Sequence, residues 1–184
     1  GRPVKWTSDR TEALLSDNQG RDHVDRGELA VDADGRILGL RITSLVNIGA
    51  YLTQSTGIPA INVANLACGY RIPAMRIAVR GILTNTTQVS PYRGTGRPEV
   101  TYLLERLMDK AAGAASLDQA EIRRRNLIPA AEMPSRTPGG TVIDVGDFHR
   151  VLDRAVDLAD WNGFPMRRRA SEEAGRTTRK AASP

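Results

Sequence analysis

A single cysteine, Cys68, stands in 184 residues. One thiol excludes an internal disulfide framework and suits a reducing compartment, so the expected location is cytoplasmic. Such a residue most often serves as a small buried apolar group. Aromatic residues make up only 4% of the chain. Basic stretches are not interleaved with aromatics, and no recognition motif for nucleic acid is present, so nucleic acid is not an expected partner. No apolar run approaches the ~20 residues that cross a bilayer, so no membrane span is expected. His23 and His149 lie far apart, and neither has a cysteine or histidine at zinc-ligand spacing. The glycine–lysine phosphate loop of nucleotide hydrolases is missing, and no internal repeat is visible.

The net charge is +5, but the excess is local. Arg167, Arg168, Arg169, Arg176, Arg179 and Lys180 face only Glu172 and Glu173 in the tail, and the rest of the chain is close to neutral. A tail of this kind supports a basic anion binder as a third-ranked reading. Steep salt dependence of polyanion binding, lost on deleting residues 167–184, would be its mark.

What is present reads as strands first and helices after. Pro3 to Trp6 has the alternation of a short strand, and Arg10 to Asp17 suits a helical turn or two. His23 to Asp32 is a strand candidate, and Asp34-Gly35 is a strong hairpin signal. The return strand, Arg36 to Asn47, is apolar at Leu38, Leu40 and Ile42 and is expected to be buried on both faces near its end. Gly49 marks a bend, and Gln54 to Cys68 reads as a loop or short helix. Met75 to Thr84 is a third strand, with Ile77, Val79 and Gly81 on one face and Arg76 and Arg80 on the other.

Pro98 to Ala112 is the best amphipathic helix. Val100, Leu103, Leu104, Leu107, Met108 and Ala111 form its core stripe. Ser116 and Gln119 fit a capping box that opens a short helix to Asn126, and Pro129 stops it. Glu132 to Gly146 reads as a loop. Phe148, Val151, Leu152, Ala155 and Leu158 stripe a further helix from Asp147 to about Trp161. This order predicts an α+β fold, an antiparallel or mixed sheet followed by packed helices. The expected body is residues 1–165, with a basic, disordered tail over 166–184.

The chain is organised around Ser90-Pro91-Tyr92-Arg93-Gly94-Thr95-Gly96-Arg97-Pro98-Glu99. It joins the third strand to the amphipathic helix. Gly94 and Gly96 permit left-handed backbone and close approach of a ligand to the main chain. Pro98 suits a first helical position. Free N–H groups at such a helix start favour an anion, and Arg93 and Arg97 add to that bias. From spacing alone, a plain glycine-rich connection with solvated arginines fits equally well.

The words themselves decide between the two. Tyr92 to Glu99, followed by Tyr102-Leu103-Leu104-Glu105-Arg106, resembles the active-site loop of the molybdenum hydroxylases. These are the xanthine dehydrogenase, aldehyde oxidase and aerobic carbon monoxide dehydrogenase family, and the match is to the large, molybdopterin-binding subunit. Further words resemble that subunit in its own order. They are Gly1 to Trp6, Gly20-Arg21-Asp22-His23, Asn47-Ile48-Gly49-Ala50-Tyr51, Tyr70-Arg71-Ile72-Pro73, Thr84-Asn85-Thr86, Glu121 to Ile128 and Gly146-Asp147-Phe148.

The resemblance implies part of the first molybdenum-cofactor-binding domain. Tyr92, Arg93, Gly94, Thr95 and Gly96 would line the cofactor, with the Arg93 N–H reaching an oxo group on the metal. The cofactor would be molybdopterin, its cytosine dinucleotide form included. Iron–sulfur clusters and FAD would sit on partner subunits, an iron–sulfur subunit and an FAD-binding subunit. Other parts of the large subunit would complete the site for a small-molecule substrate.

Two departures narrow that substrate. Carbon-monoxide-oxidising members carry a copper-holding cysteine after Tyr-Arg, where this chain has Gly94, and Cys68 is no substitute. Xanthine-oxidising members place an arginine shortly before Tyr-x-Ile-Pro, and Ile61 to Gly69 has none. Aldehydes or N-heterocycles are therefore the expected class. The family's catalytic glutamate and its upstream glutamine loop fall outside this sequence, so the chain by itself is expected not to turn over. Glu99 reads as a first-turn acid and Glu105 as a solvated or ion-paired residue, so neither replaces that base. The alternative reading is a non-catalytic remnant or subunit-interaction domain of the same fold.

Overall fold

A computed structural model describes residues 1–52 and 67–176. Most of the segment expected as a loop or short helix, Gln54 to Cys68, and the tail beyond residue 176 lie outside the described residues.

The sheet has three strands: β1 (His23–Val31), β2 (Ile37–Gly49) and β3 (Met75–Leu83). β1 and β2 are antiparallel and β2 and β3 parallel, so β2 is central in a mixed sheet. The β1–β2 turn forms where the Asp-Gly signal predicted it. Asp32 Oδ1 accepts from the N–H groups of Asp34 and Arg36, and Gly35 supplies a φ of +76°.

Along β2 the inward residues are Leu40, Ile42, Ser44, Val46 and Ile48. Leu38 and Leu45 point outward and are 54% and 39% exposed, while at the end of the strand Val46, Ile48 and Gly49 are buried and Asn47 is half-buried, so burial on both faces is confined to these last residues, as expected. Only one face of this sheet is covered by a helix, and the alternation from Leu40 to Val46 follows from that.

The covering helix is α2 (Arg97–Ala114), preceded in sequence by the short α1 (Arg10–Ser16). Val100, Leu104, Met108 and Ala111 of α2 are buried, with Leu103 and Leu107 packed beside them, as the stripe predicted. Gly27 makes this contact possible. A Cβ there would lie 2.8 Å from Leu107 Cδ1, so the bare backbone of β1 lets α2 settle onto the sheet.

Helix α3 (Gln119–Asn126) closes the core through Ile122, which is fully buried. Its cap is Asp118, whose side chain accepts from the N–H groups of Ala120 and Glu121. The Ser116 capping box is therefore corrected. Ser116 sits at φ +53°, outside the extended region a helix cap needs.

Three further expectations change. Residues 3–6 form no strand: no described strand pairs with them, and Val4 and Trp6 are 90% and 75% exposed. The 132–146 loop carries a small hairpin, β4 (Ser135–Arg136) with β5 (Val142–Ile143). The basic segment after residue 165, expected to be disordered, is helical as α5 (Phe164–Glu173), where Arg168 pairs with Glu172 one turn on. The helix before it, α4 (Phe148–Leu158), ends earlier than Trp161. Only part of its apolar stripe is covered: Leu152 is half-buried, while Val151 and Leu158 are exposed.

Of the three adjacent arginines of α3, Arg123 and Arg124 are half-buried and Arg125 is exposed, and all three are ion-paired. Arg123 bonds Glu105 at 2.7 Å and Asp109 at 2.9 Å, Arg124 bonds Glu121 and Asp153, and Arg125 bonds Glu121. Tyr70 donates its hydroxyl to Glu105 Oε1 at 2.8 Å and joins this network. Burial pushes the Tyr70 phenol above its ordinary range, and the Glu105 carboxylate beside it adds to the shift.

The folded state thus holds that proton more tightly than the unfolded chain. The resulting stabilisation is present below the ordinary tyrosine value of ~10 and is lost as pH rises through the raised folded value. An alkaline absorbance titration should show a tyrosinate step that coincides with unfolding. Tyr70→Phe should remove that step, and its persistence in the variant would refute the assignment. No helix among the described residues is long and apolar enough to cross a membrane.

Candidate functional site

The loop of Tyr92 to Gly96 runs between the end of β3 and the start of α2, with its approach pinned from both sides. Asn47 is the pin on the sheet side. Its Nδ2 donates to Asp22 Oδ2 at 2.8 Å and Thr86 Oγ1 at 3.0 Å. Its Oδ1 accepts from the Gly49 N–H at 2.8 Å and the Thr84 hydroxyl at 2.7 Å. Three words far apart in sequence therefore meet at one amide. Gly49, at φ +83°, turns the chain so that Ile48 O receives the Val89 N–H and Thr86 O receives the Ala50 N–H. Gln19 then bridges to the same segment, taking the Ser90 N–H and giving its own to Gln88 O.

Within the loop, the Thr95 N–H bonds Tyr92 O at 3.2 Å and the Arg97 N–H bonds Gly94 O at 3.1 Å. Gly94 and Gly96 take φ +85° and +74°, the left-handed values that glycine accepts without strain. Pro98 sits in the first turn of α2, as expected, and Val100 closes that turn on Gly96 O. The N–H groups of Tyr92, Arg93, Gly94 and Gly96 have no partner among the described residues. Unpaired donors at a helix start, flanked by the exposed Arg93 and Arg97, are an arrangement chemically suited to an anion. The structure thus brings the five predicted residues together in one turn, in which the Thr95 N–H is already used by Tyr92 O.

Arg21, in Gly20-Arg21-Asp22-His23, was not among the candidate site residues. Its guanidinium reaches Tyr92 O at 3.1 Å and Arg93 O at 2.6 Å. It also lies 4.9 Å over the Tyr92 ring and 3.6 Å from Glu99 Oε1. The preceding glycine is the sequence signal: a Cβ on Gly20 would stand 3.2 Å from Tyr92 Cβ. Glu99 is in the first turn of α2 as predicted, and it is largely covered, with a 15% exposed side chain.

Beside the start of α2 lies a cleft of about 350 Å³, lined among others by Cys68, Arg97, Thr101, Thr137 and Phe148. Cys68, expected to be buried, is exposed; its Sγ lies 4.0 Å from Thr101 Oγ1, and partial desolvation of the sulfur pushes its thiol up. No cluster of His, Cys, Asp and Glu among the described residues could hold a metal ion.

A family model described as the molybdopterin cofactor-binding domain matches residues 1–127. The chain belongs to that family. The gamma subunit of the 6-hydroxypseudooxynicotine dehydrogenase complex of Paenarthrobacter nicotinovorans is 37% identical over 169 residues, 88% of this chain and 21% of that protein. The carbon monoxide dehydrogenase large chain of Hydrogenophaga pseudoflava is 37% identical over 177 residues, 92% of this chain and 22% of that one. Among solved structures, quinoline 2-oxidoreductase from Pseudomonas putida 86 superposes with a TM-score of 0.89 at 28% identity, covering 95% of this chain and 23% of that one. The chain spans about a fifth of the length of these relatives. The α+β fold and the molybdopterin-binding character of the segment follow from these matches.

Proposed function

We propose that this segment works within a molybdenum hydroxylase large subunit, where Tyr92 to Gly96 hold the cofactor for oxidative hydroxylation of a small molecule. The observation that carries the reading is the set of unpartnered N–H groups on Tyr92, Arg93, Gly94 and Gly96 in a loop of left-handed glycines. Molybdopterin is a phosphate-bearing dithiolene whose metal carries oxo groups, and preorganised N–H donors suit such an anion. When bound, the cofactor supplies a two-electron centre that oxidises a carbon–hydrogen bond with water as the oxygen source. The chain's own part is to bind and orient. Main-chain donors of the loop face the anion, Gly94 and Gly96 keep side chains out of its path, and Arg93 and Arg97 supply positive potential.

The substrate class this reading favours is an N-heterocycle or an aldehyde. Gly94 has no thiolate to hold copper, which sets this loop apart from that of the copper-containing carbon monoxide enzymes. Relatives named for nicotine and quinoline oxidation support the heterocyclic choice. Electrons would leave through iron–sulfur clusters and FAD on partner subunits, and the cytosine dinucleotide form of the cofactor is part of the proposal.

The test is the molybdenum and pterin content of the protein purified from its own source, with co-purifying subunits identified by mass. One molybdenum per chain, with an iron–sulfur and a flavin partner, is the expected result. Absence of metal, pterin and partners would overturn the proposal. It would favour the second reading, a subunit-interaction domain, which the exposed Val4, Trp6, Leu14, Leu15, Val151 and Leu158 also suit.

A further inference from the structure

We infer that Arg21 is a positioning residue that holds the carbonyl side of the Tyr92–Gly96 loop so that its N–H side faces the anionic cofactor. This rests on the proposed role of that loop. Each peptide group points its C=O and the next residue's N–H in opposite directions, so fixing the Tyr92 and Arg93 carbonyls fixes where the Arg93 and Gly94 donors point. Arg21 Nη2 takes the Tyr92 and Arg93 carbonyls together, at 3.1 and 2.6 Å. The same guanidinium stacks on the Tyr92 ring at 4.9 Å, and its Nε stands 3.6 Å from Glu99 Oε1. A planar fork can bond, stack and pair at once, which a lysine ammonium cannot do.

Three observations set this apart from a chance surface contact. Arg21 adopts φ +59°, a left-handed conformation uncommon for a residue other than glycine. Glu99 is anchored in the first turn of α2, and its Oε2 is buried without a partner. A buried carboxylate of that kind needs its cation, so Arg21 leaves only at the expense of a bare charge. Gly20 leaves the space that lets Tyr92 lie against this corner. Arg21 is thus bound to both ends of the loop, Tyr92-Arg93 at its start and Glu99 beyond its end. Arg93 and Arg97 remain free to face a ligand.

The experiment compares the unmodified chain with Arg21→Asn and Arg21→Lys by amide-resolved hydrogen exchange and by nitrogen-15 NMR titration with inorganic molybdate. Asparagine tolerates left-handed backbone and removes the fork, and lysine keeps the charge. The expected result for Arg21→Asn is exchange about tenfold faster at the Thr95 and Arg97 amides, with β-sheet amides unchanged. Molybdate-induced shifts at Arg93, Gly94 and Gly96, present in the unmodified chain, should be lost, and Arg21→Lys should restore neither readout.

Unchanged loop exchange in Arg21→Asn overturns the clamp. Full restoration by lysine overturns the need for the fork. Faster exchange with unaltered molybdate shifts overturns the donor-presenting role. Molybdate shifts absent even from the unmodified chain would count against the cofactor-binding role of the loop itself, and would leave Arg21 as a structural brace.

Discussion

Gly49→Ala is expected to destabilise the protein by about 4 kcal/mol, lowering the thermal midpoint by about 10 °C. Gly49 stands at φ +83°, where an alanine is strained by ~1–2 kcal/mol in any surroundings. The space is also closed. An added Cβ would lie 2.4 Å from Thr87 O, 2.5 Å from Gln88 Cα and 2.8 Å from Gln88 N, all backbone. Backbone cannot rotate away as a side-chain tip can, so the segment from Thr86 to Val89 must move. That segment delivers the chain to Tyr92. Differential scanning calorimetry would measure the stability loss, and faster amide exchange at Thr95 and Arg97 would report the displaced loop. A midpoint within 2 °C of the unmodified protein, about 1 kcal/mol or less, would show that the segment yields freely and that the pin is weak.

Asn126→Ala is expected to cost about 3 kcal/mol, because its amide satisfies three buried backbone groups. Asn126 Oδ1 accepts from the Ile37 N–H at 2.7 Å, and Nδ2 donates to Gly35 O and Ile122 O, both at 2.8 Å. The residue is 3% exposed, so water cannot replace these bonds without a cavity opening. It joins the β1–β2 turn to the end of α3, elements some 90 positions apart in sequence. Chemical denaturation should show a lowered midpoint with little change in slope. Asn126→Asp tests the mechanism further. An acceptor-only carboxylate keeps the Ile37 contact but loses both donations, and it should be at least as destabilising. A loss below ~1 kcal/mol in either variant would mean that the turn and α3 are held together by apolar packing alone.

Helix α2 was the most legible element because its apolar residues recur at one period over several turns and Pro98 marks its start. The β1–β2 hairpin was legible because Asp-Gly between alternating runs has few other uses. The strand expected at residues 3–6 failed for the opposite reason. Alternation over four residues says what a strand could bury, but nothing about whether an edge exists to pair with it. Local spacing shows that Glu121 can pair with Arg124 and Arg125, but not that Arg123 and Arg124 meet Glu105, Asp109 and Asp153, which lie on other helices. Ser116 and Asp118 both carry capping side chains, and only the backbone conformation, left-handed at one and extended at the other, selects between them.

By itself, the sequence determined the α+β order, the core stripe of α2 and the candidate loop with its glycines and flanking arginines. These depend on local periodicity and on residues whose backbone preferences are intrinsic. Only the tertiary structure decided that Asn47 gathers Asp22, Gly49, Thr84 and Thr86, that Asn126 locks a distant turn, and that Arg21 grips the carbonyls of the loop. A polar side chain is compatible with many partners in a linear chain. Folding removes the water that could satisfy it, and it then bonds the groups the fold brings within reach.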